Sequence, residues 1–136
     1  MSLNDPLSNV LSHVLNCDKK GKNECIVNPV SKLILSTLEI LKKNKYMGDY
    51  EIIDKGRGGS IKVNLLGNIN GCGVVKPRFS FTKKNYEMFE KRYLPAKDFG
   101  LFIVTTSKGV MTHKEALSKN IGGKLIAYCY WNEKNL

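Results

Sequence analysis

The sequence predicts an α+β protein built from two small packed domains, and three observations predict it. Some stretches carry apolar residues at helical spacing, others alternate or run apolar as strands do, and a cluster of glycine and asparagine near the middle parts the two halves. Residues 1–68 read as α-β-α-β-β, and residues 69–136 as mostly strand with one short helix and a short C-terminal extension.

Asp5-Pro6 opens the first element, an N-cap residue followed by proline at the first helical position. Leu7, Val10, Leu11, Val14 and Leu15 then recur at helical spacing and make one apolar face. Beyond the polar, glycine-containing stretch 18–23, Cys25-Ile26-Val27 is a short strand. Asn28-Pro29 repeats the cap-plus-proline signal, and Val30, Leu33, Ile34, Leu38 and Leu41 form a second helical face ending at Lys42-Lys43. From Asp49 the period changes to two. Residues 50–53 make one strand, Ile61, Val63 and Leu65 alternate along the next, and Lys55-Gly56-Arg57-Gly58-Gly59 connects them as a hairpin. That glycine-rich connection lacks the following helix a phosphate loop requires.

Gly67 to Gly73 punctuates the chain and sets the boundary between halves. Val74-Val75 is strand-like, and Pro77 argues for a sheet edge. Residues 83–93 mix basic and aromatic side chains in a helix or an ordered loop, closed by Leu94-Pro95. Residues 101–104 form a buried strand. Thr112-x-x-Glu115 is a capping box that opens a short helix with Ala116 and Leu117 inward. Gly122-Gly123 turns the chain into a last alternating strand over residues 124–131.

The chain has 136 residues with 22 Lys+Arg against 12 Asp+Glu, a formal net charge of +10. That length supports a core without staples, and the apolar content excludes a disordered chain. No apolar run is long enough to cross a membrane, and no secretory leader opens the sequence, so a soluble intracellular protein with no membrane partner is expected. Cys17, Cys25, Cys72 and Cys129 show no C-x2-C pair, and only His13 and His113 could join them. Packed thiols are expected, with neither a zinc site nor a disulfide framework. Cut after Asn68, the first half carries ten basic and seven acidic residues (+3) and the second twelve and five (+7). Such a lopsided balance points to a polyanionic partner.

Chemistry concentrates in Thr105-Thr106-Ser107-Lys108-Gly109, between the strand ending at Val104 and the helix capped at Thr112. Three hydroxyls, a lysine and a glycine at a strand end suit phosphate, ribose hydroxyls and base edges. Lys76, Arg78, Lys83, Lys84, Lys91, Arg92 and Lys97 interleave with Phe79, Phe81, Tyr86, Phe89 and Tyr93, the mixture used for phosphate contact and base stacking, although some of these rings are needed for a core. No carboxylate pair, Cys/His arrangement or nucleophile elbow can be assembled. Catalytic, metal and cofactor sites are therefore not expected. A small phosphate- or nucleotide-binding enzyme using Thr105 to Gly109 is the competing reading, and a free RNA-binding translational regulator another.

Residues 104–112, followed by Glu115-Ala116 and Gly122-Gly123-Lys124, resemble the C-terminal signature of the family of the eighth protein of the small ribosomal subunit. Asp5-Pro6-Leu7, Pro29-Val30-Ser31-Lys32-Leu33, residues 48–53, Ile69-Asn70-Gly71-Cys72-Gly73-Val74 and Lys76-Pro77-Arg78-Phe79 follow the same family in order. The stretch 86–100, with Leu94-Pro95 and Phe99-Gly100, resembles its archaeal and eukaryotic cytosolic branch. The resemblance implies a non-enzymatic constituent of the small subunit that binds a helix in the central domain of ribosomal RNA and supports assembly and translation. Carried over by position, Thr105, Thr106 and Ser107 read the RNA, with Lys108, Gly109, Gly122, Gly123 and Lys124 beside them. Ser31 and Lys32 match a secondary backbone contact, and Lys76 and Arg78 lie in a matched segment. Neighbouring small-subunit proteins are implied partners. Some prokaryotic members also bind their own messenger RNA, which makes that RNA a further candidate partner. Thr105 stands where many members have serine, lysine supplies most of the positive charge, and residues 131–136 run past the family's usual aromatic end.

Overall fold

The computed structural model describes residues 6–28, 30–54, 59–76, 78–82, 84–94 and 100–131. The expected cap Asp5, Pro29, most of the hairpin connection at 55–58, Pro77, Lys83, the stretch 95–99 and the tail 132–136 lie outside the described residues.

Helix α1 (Pro6–Lys19) buries Leu7, Val10, Leu11, Val14 and Cys17 along one face, the stripe its spacing predicts. Strand β1 (Glu24–Val27) alternates, with Cys25 and Val27 inward. Helix α2 (Lys32–Lys43) starts later than Asn28-Pro29 suggests. Its N-cap is Ser31, extended in backbone, whose hydroxyl accepts the Ile34 N–H at 3.2 Å. Strands β2 (Met47–Asp54) and β3 (Ser60–Leu65) pair antiparallel, as the hairpin reading requires, and β1 pairs with the other side of β3. The first sheet therefore has the order β1-β3-β2.

The second half adds β4 (Ile69–Val74), β5 (Ser80–Phe81), α3 (Tyr86–Tyr93), β6 (Leu101–Thr106), β7 (Gly109–Thr112), α4 (His113–Ser118) and β8 (Gly123–Trp131). Its sheet has the order β4-β8-β6-β7, with β5 also paired to β8. Helix α3 falls in the basic and aromatic stretch, and α4 carries the predicted cap, Thr112 accepting the Glu115 N–H at 3.2 Å.

Two cores sandwich this sheet. The first joins α1, α2 and the first sheet to Ile69, Cys72, Leu101, Ile103, Ile126, Ala127 and Cys129, so one face of the second sheet is covered by the first half of the chain. The other gathers Phe81, Phe89, Leu94, Phe102, Val104, Met111, Ala116 and Leu125 under α3 and α4. Leu11, Val14, Leu38 and Leu41 are at most 1% exposed, and each such side chain contributes about 1.5–3 kcal/mol on burial. Where the halves meet, the buried Asp18 carboxylate accepts the Gly67 N–H at 2.9 Å and the Ile69 N–H at 3.2 Å, tying the end of α1 to the entry of β4.

The punctuation at 67–73 divides in two. Gly67, with φ +77, makes the turn, whereas Gly71 and Gly73 sit inside β4. A Cβ on Gly71 would run into the Tyr130 ring, and one on Gly73 would meet the Tyr128 hydroxyl at 2.9 Å. Both glycines are bare because cross-strand tyrosines lie over them.

Candidate nucleic-acid interface

Thr105 to Gly109 is a β-hairpin, not the direct strand-to-helix connection the sequence suggests. Thr106 pairs with Gly109, and Thr105 with Val110, so Ser107 and Lys108 alone form the tip. The Thr106 hydroxyl donates to the Gly109 carbonyl at 2.8 Å and accepts the Lys108 N–H at 3.1 Å. It is therefore engaged in closing the turn, which presents Ser107 and Lys108 to solvent. Gly109 has φ +114 with open space around it, so the backbone conformation demands glycine there.

Strand β8 supplies the other half of this corner. Lys124 pairs with Thr105 on one side and with Ser80 of β5 on the other. Val110, Thr105, Lys124 and Ser80 thus form one transverse row, about 14 Å across at the usual spacing between strands, with neighbours on a common face. Lys124 and Ser80 are exposed; Thr105 and Val110 are half-buried. Gly123 permits the approach: a Cβ there would overlap the Thr105 carbonyl and meet the Thr106 methyl at 3.0 Å. Gly122 does the same against β5, with the Phe81 carbonyl 2.8 Å from an added Cβ.

The result is a hydroxyl-lined corner with two exposed lysines, Lys108 and Lys124, beside backbone packed too closely for side chains. Such a surface suits a sugar-phosphate backbone and a shallow groove, not an enclosed small molecule. A family model described as ribosomal protein S8 matches residues 5–130. The chain belongs to the ribosomal protein S8 family. It is accordingly a small-subunit ribosomal protein that binds ribosomal RNA, of a structural and not an enzymatic family, with ribosomal proteins as neighbours. Among the described residues no helix is long and apolar enough to cross a membrane.

In this member of the S8 family the remaining predicted residues divide by position. Lys76 and Arg78 are both exposed. They lie between two hydrogen bonds to β8, from the Val75 N–H to the Ile126 carbonyl and from the Leu125 N–H to the Phe79 carbonyl, each at 2.9 Å. They stand on the opposite side of β8 from the hairpin. Ser31 and Lys32 are exposed at the start of α2 and belong to no strand of the corner. The Ser31 oxygen is engaged as the helix cap, which leaves its O–H to donate.

The aromatic residues among the S8 candidates have another occupation. Phe81 and Phe89 are buried in the second core, and Phe79, Tyr86 and Tyr93 pack half-buried against it. Phe79 lies 5.4 Å from Phe89, Phe81 lies 6.5 Å from Tyr86, and Tyr93 meets Phe102 edge-on at 6.2 Å. Arg92 sits over Phe79 and Tyr93 at 5.5 and 5.8 Å. His113 is buried, and its Nδ1 accepts the Phe102 N–H at 3.1 Å, so it ties α4 to β6. Ser80 enters the corner without a sequence signal, because a two-residue strand is too short to display alternation.

Proposed function

We propose that the protein binds a helix in the central domain of small-subunit ribosomal RNA, supports subunit assembly, and does so through the corner formed by Thr105, Thr106, Ser107, Lys108, Gly109, Gly122, Gly123 and Lys124. The observation that carries this reading is the register that sets Lys124 beside Thr105 at the root of a tight hairpin whose tip is Ser107-Lys108. Ser107 reads the distorted minor groove, Thr106 holds the turn, and the lysines contact phosphates. Lys76, Arg78, Ser31 and Lys32 add backbone contacts that fix orientation. Residues 1–68 and 69–136 act as two packed domains, the second being the principal reader. The resemblance over 86–100 supports the archaeal and eukaryotic cytosolic branch, hence a cytoplasmic ribosome.

Filter binding with a transcript of that RNA helix tests the proposal. Affinity falls by roughly two or more decades between low and moderately high salt, as counterion release requires. Ser107→Ala, at an exposed tip, leaves stability unchanged and weakens binding by about 5- to 150-fold, the equivalent of about 1–3 kcal/mol for an RNA group left unpaired. Unchanged affinity would remove Ser107 from the site. Tighter binding of the protein's own messenger RNA than of ribosomal RNA would favour the regulator reading.

A further inference from the structure

Three side chains with metal-ligand chemistry, none of them in the RNA-binding corner, converge where α1 meets β1. His13 and Cys17 are four residues apart on α1 and therefore share one face, with Nε2 and Sγ 3.7 Å apart. Cys25 occupies an inward position of β1, across the turn that carries Lys20 and Lys22. The ligand atoms of His13, Cys17 and Cys25 all lie within 4.8 Å of one another. Tetrahedral zinc, with bonds of about 2.3 Å to sulfur and about 2.0 Å to nitrogen, holds its ligand atoms about 3.4–3.8 Å apart. Closing the set takes a rotamer adjustment of about 1 Å, not a backbone rearrangement.

We propose that His13, Cys17 and Cys25 form a Zn2+ site, with two thiolates and one imidazole as protein ligands and a fourth position open on the His13 side. The ligand set argues for zinc, since paired thiolates with imidazole select soft and borderline metals over magnesium or calcium. Charge argues the same way: two buried thiolates are tolerable only beside a cation, and Zn2+ neutralises both. The buried cysteines and the exposed histidine set the direction of entry. A groove of about 270 Å³, lined by Asn9, Val10, His13, Ile26, Val27 and Asn28, adjoins the imidazole and leaves room for a water or an external ligand. Bound metal staples the end of α1 to β1 and fixes the basic turn between them. A scan for C-x2-C pairs misses this set, because a helix supplies two of the ligands and a strand the third.

The test uses the full chain, reduced and metal-free, titrated with Co2+ and then Zn2+. One equivalent of Co2+ gives the intense visible bands of a tetrahedral site and near-ultraviolet sulfur-to-cobalt charge transfer, and Zn2+ bleaches both. Cys17→Ser and Cys25→Ser each lower the charge-transfer intensity by about half, one thiolate of two being lost. His13→Asn, at an exposed position that leaves the fold intact, lowers Zn2+ affinity on the order of tenfold or more. Cys72→Ala leaves the spectrum as it was. A weak octahedral cobalt spectrum without charge transfer overturns the proposal, as does Zn2+ affinity indifferent to His13→Asn. None of these readouts requires RNA.

Discussion

Replacing Thr106 with valine keeps the shape of the side chain and removes one oxygen that serves two hydrogen bonds, at 2.8 Å to the Gly109 carbonyl and 3.1 Å from the Lys108 N–H. The turn is open to water, so each bond falls at the lower end of the usual 0.5–1.5 kcal/mol and the pair contributes about 1–1.5 kcal/mol. For 136 residues the unfolding entropy is about 0.29 kcal/mol per degree, so Tm falls by about 3–5 °C. If the turn must be ordered to bind RNA, the same free energy sets the ceiling on lost affinity, about 5- to 12-fold. Differential scanning calorimetry and filter binding on Thr106→Val and Thr106→Ser separate the parts. The serine variant keeps the oxygen and recovers most of both losses. Equal stability of the valine variant and wild type, or a serine variant as impaired as the valine one, would refute the claim that this hydroxyl organises the hairpin.

Further tests address the scaffold around the corner. Gly123→Ala drives a methyl into the Thr105 carbonyl and costs about 1–3 kcal/mol, with amide shifts concentrated at residues 105 and 106; shifts spread evenly over the sheet would refute the close-approach argument. Asp18→Asn sets an amide NH2 against one of two backbone donors, costs about 1–3 kcal/mol, and accelerates hydrogen exchange at Gly67 and Ile69 before other sites. Stability also falls in alkali. Burial, with a hydrogen bond to Cys72, holds the Cys129 thiol well above its ordinary 9.0, and burial raises the Tyr46 hydroxyl from 10.0. The unfolded chain therefore releases these protons first, and stability is lost at about 1.4 kcal/mol per pH unit per group, from about pH 9 for Cys129 and from about pH 10 for Tyr46. Urea midpoints that stay flat to about pH 11 would contradict this.

Local signals in the sequence were sufficient for the helices and the longer strands, but not for the short strands β5 and β7 or for how the residues of the corner are arranged. Helix α1 is legible because one stripe of apolar side chains and one proline suffice to specify it. The start of α2 is displaced because the Ser31 hydroxyl, and not the Asn28-Pro29 signal, caps the helix. Gly71 and Gly73 look like loop residues until Tyr130 and Tyr128, far along the chain, are laid across them. The hairpin at 105–110 hides because its tip, Ser107-Lys108, lacks the Asn-Gly or Asp-Gly signature and places the glycine one residue later. The basic and aromatic stretch shows the limit of composition: charge and rings announce a surface, while packing buries Phe81 and Phe89 and half-buries Phe79, Tyr86 and Tyr93.

Strand β8 comes last among the described elements, yet it holds the middle of its sheet, with β6 on one side and β4 and β5 on the other. A chain halted before residue 123 therefore has β4, β5 and β6 with no partner between them, exposes edges prone to aggregation, and lacks the strand that carries Lys124. The second sheet is thus completed in one late step of synthesis, when strand β8 slides into the gap left for it.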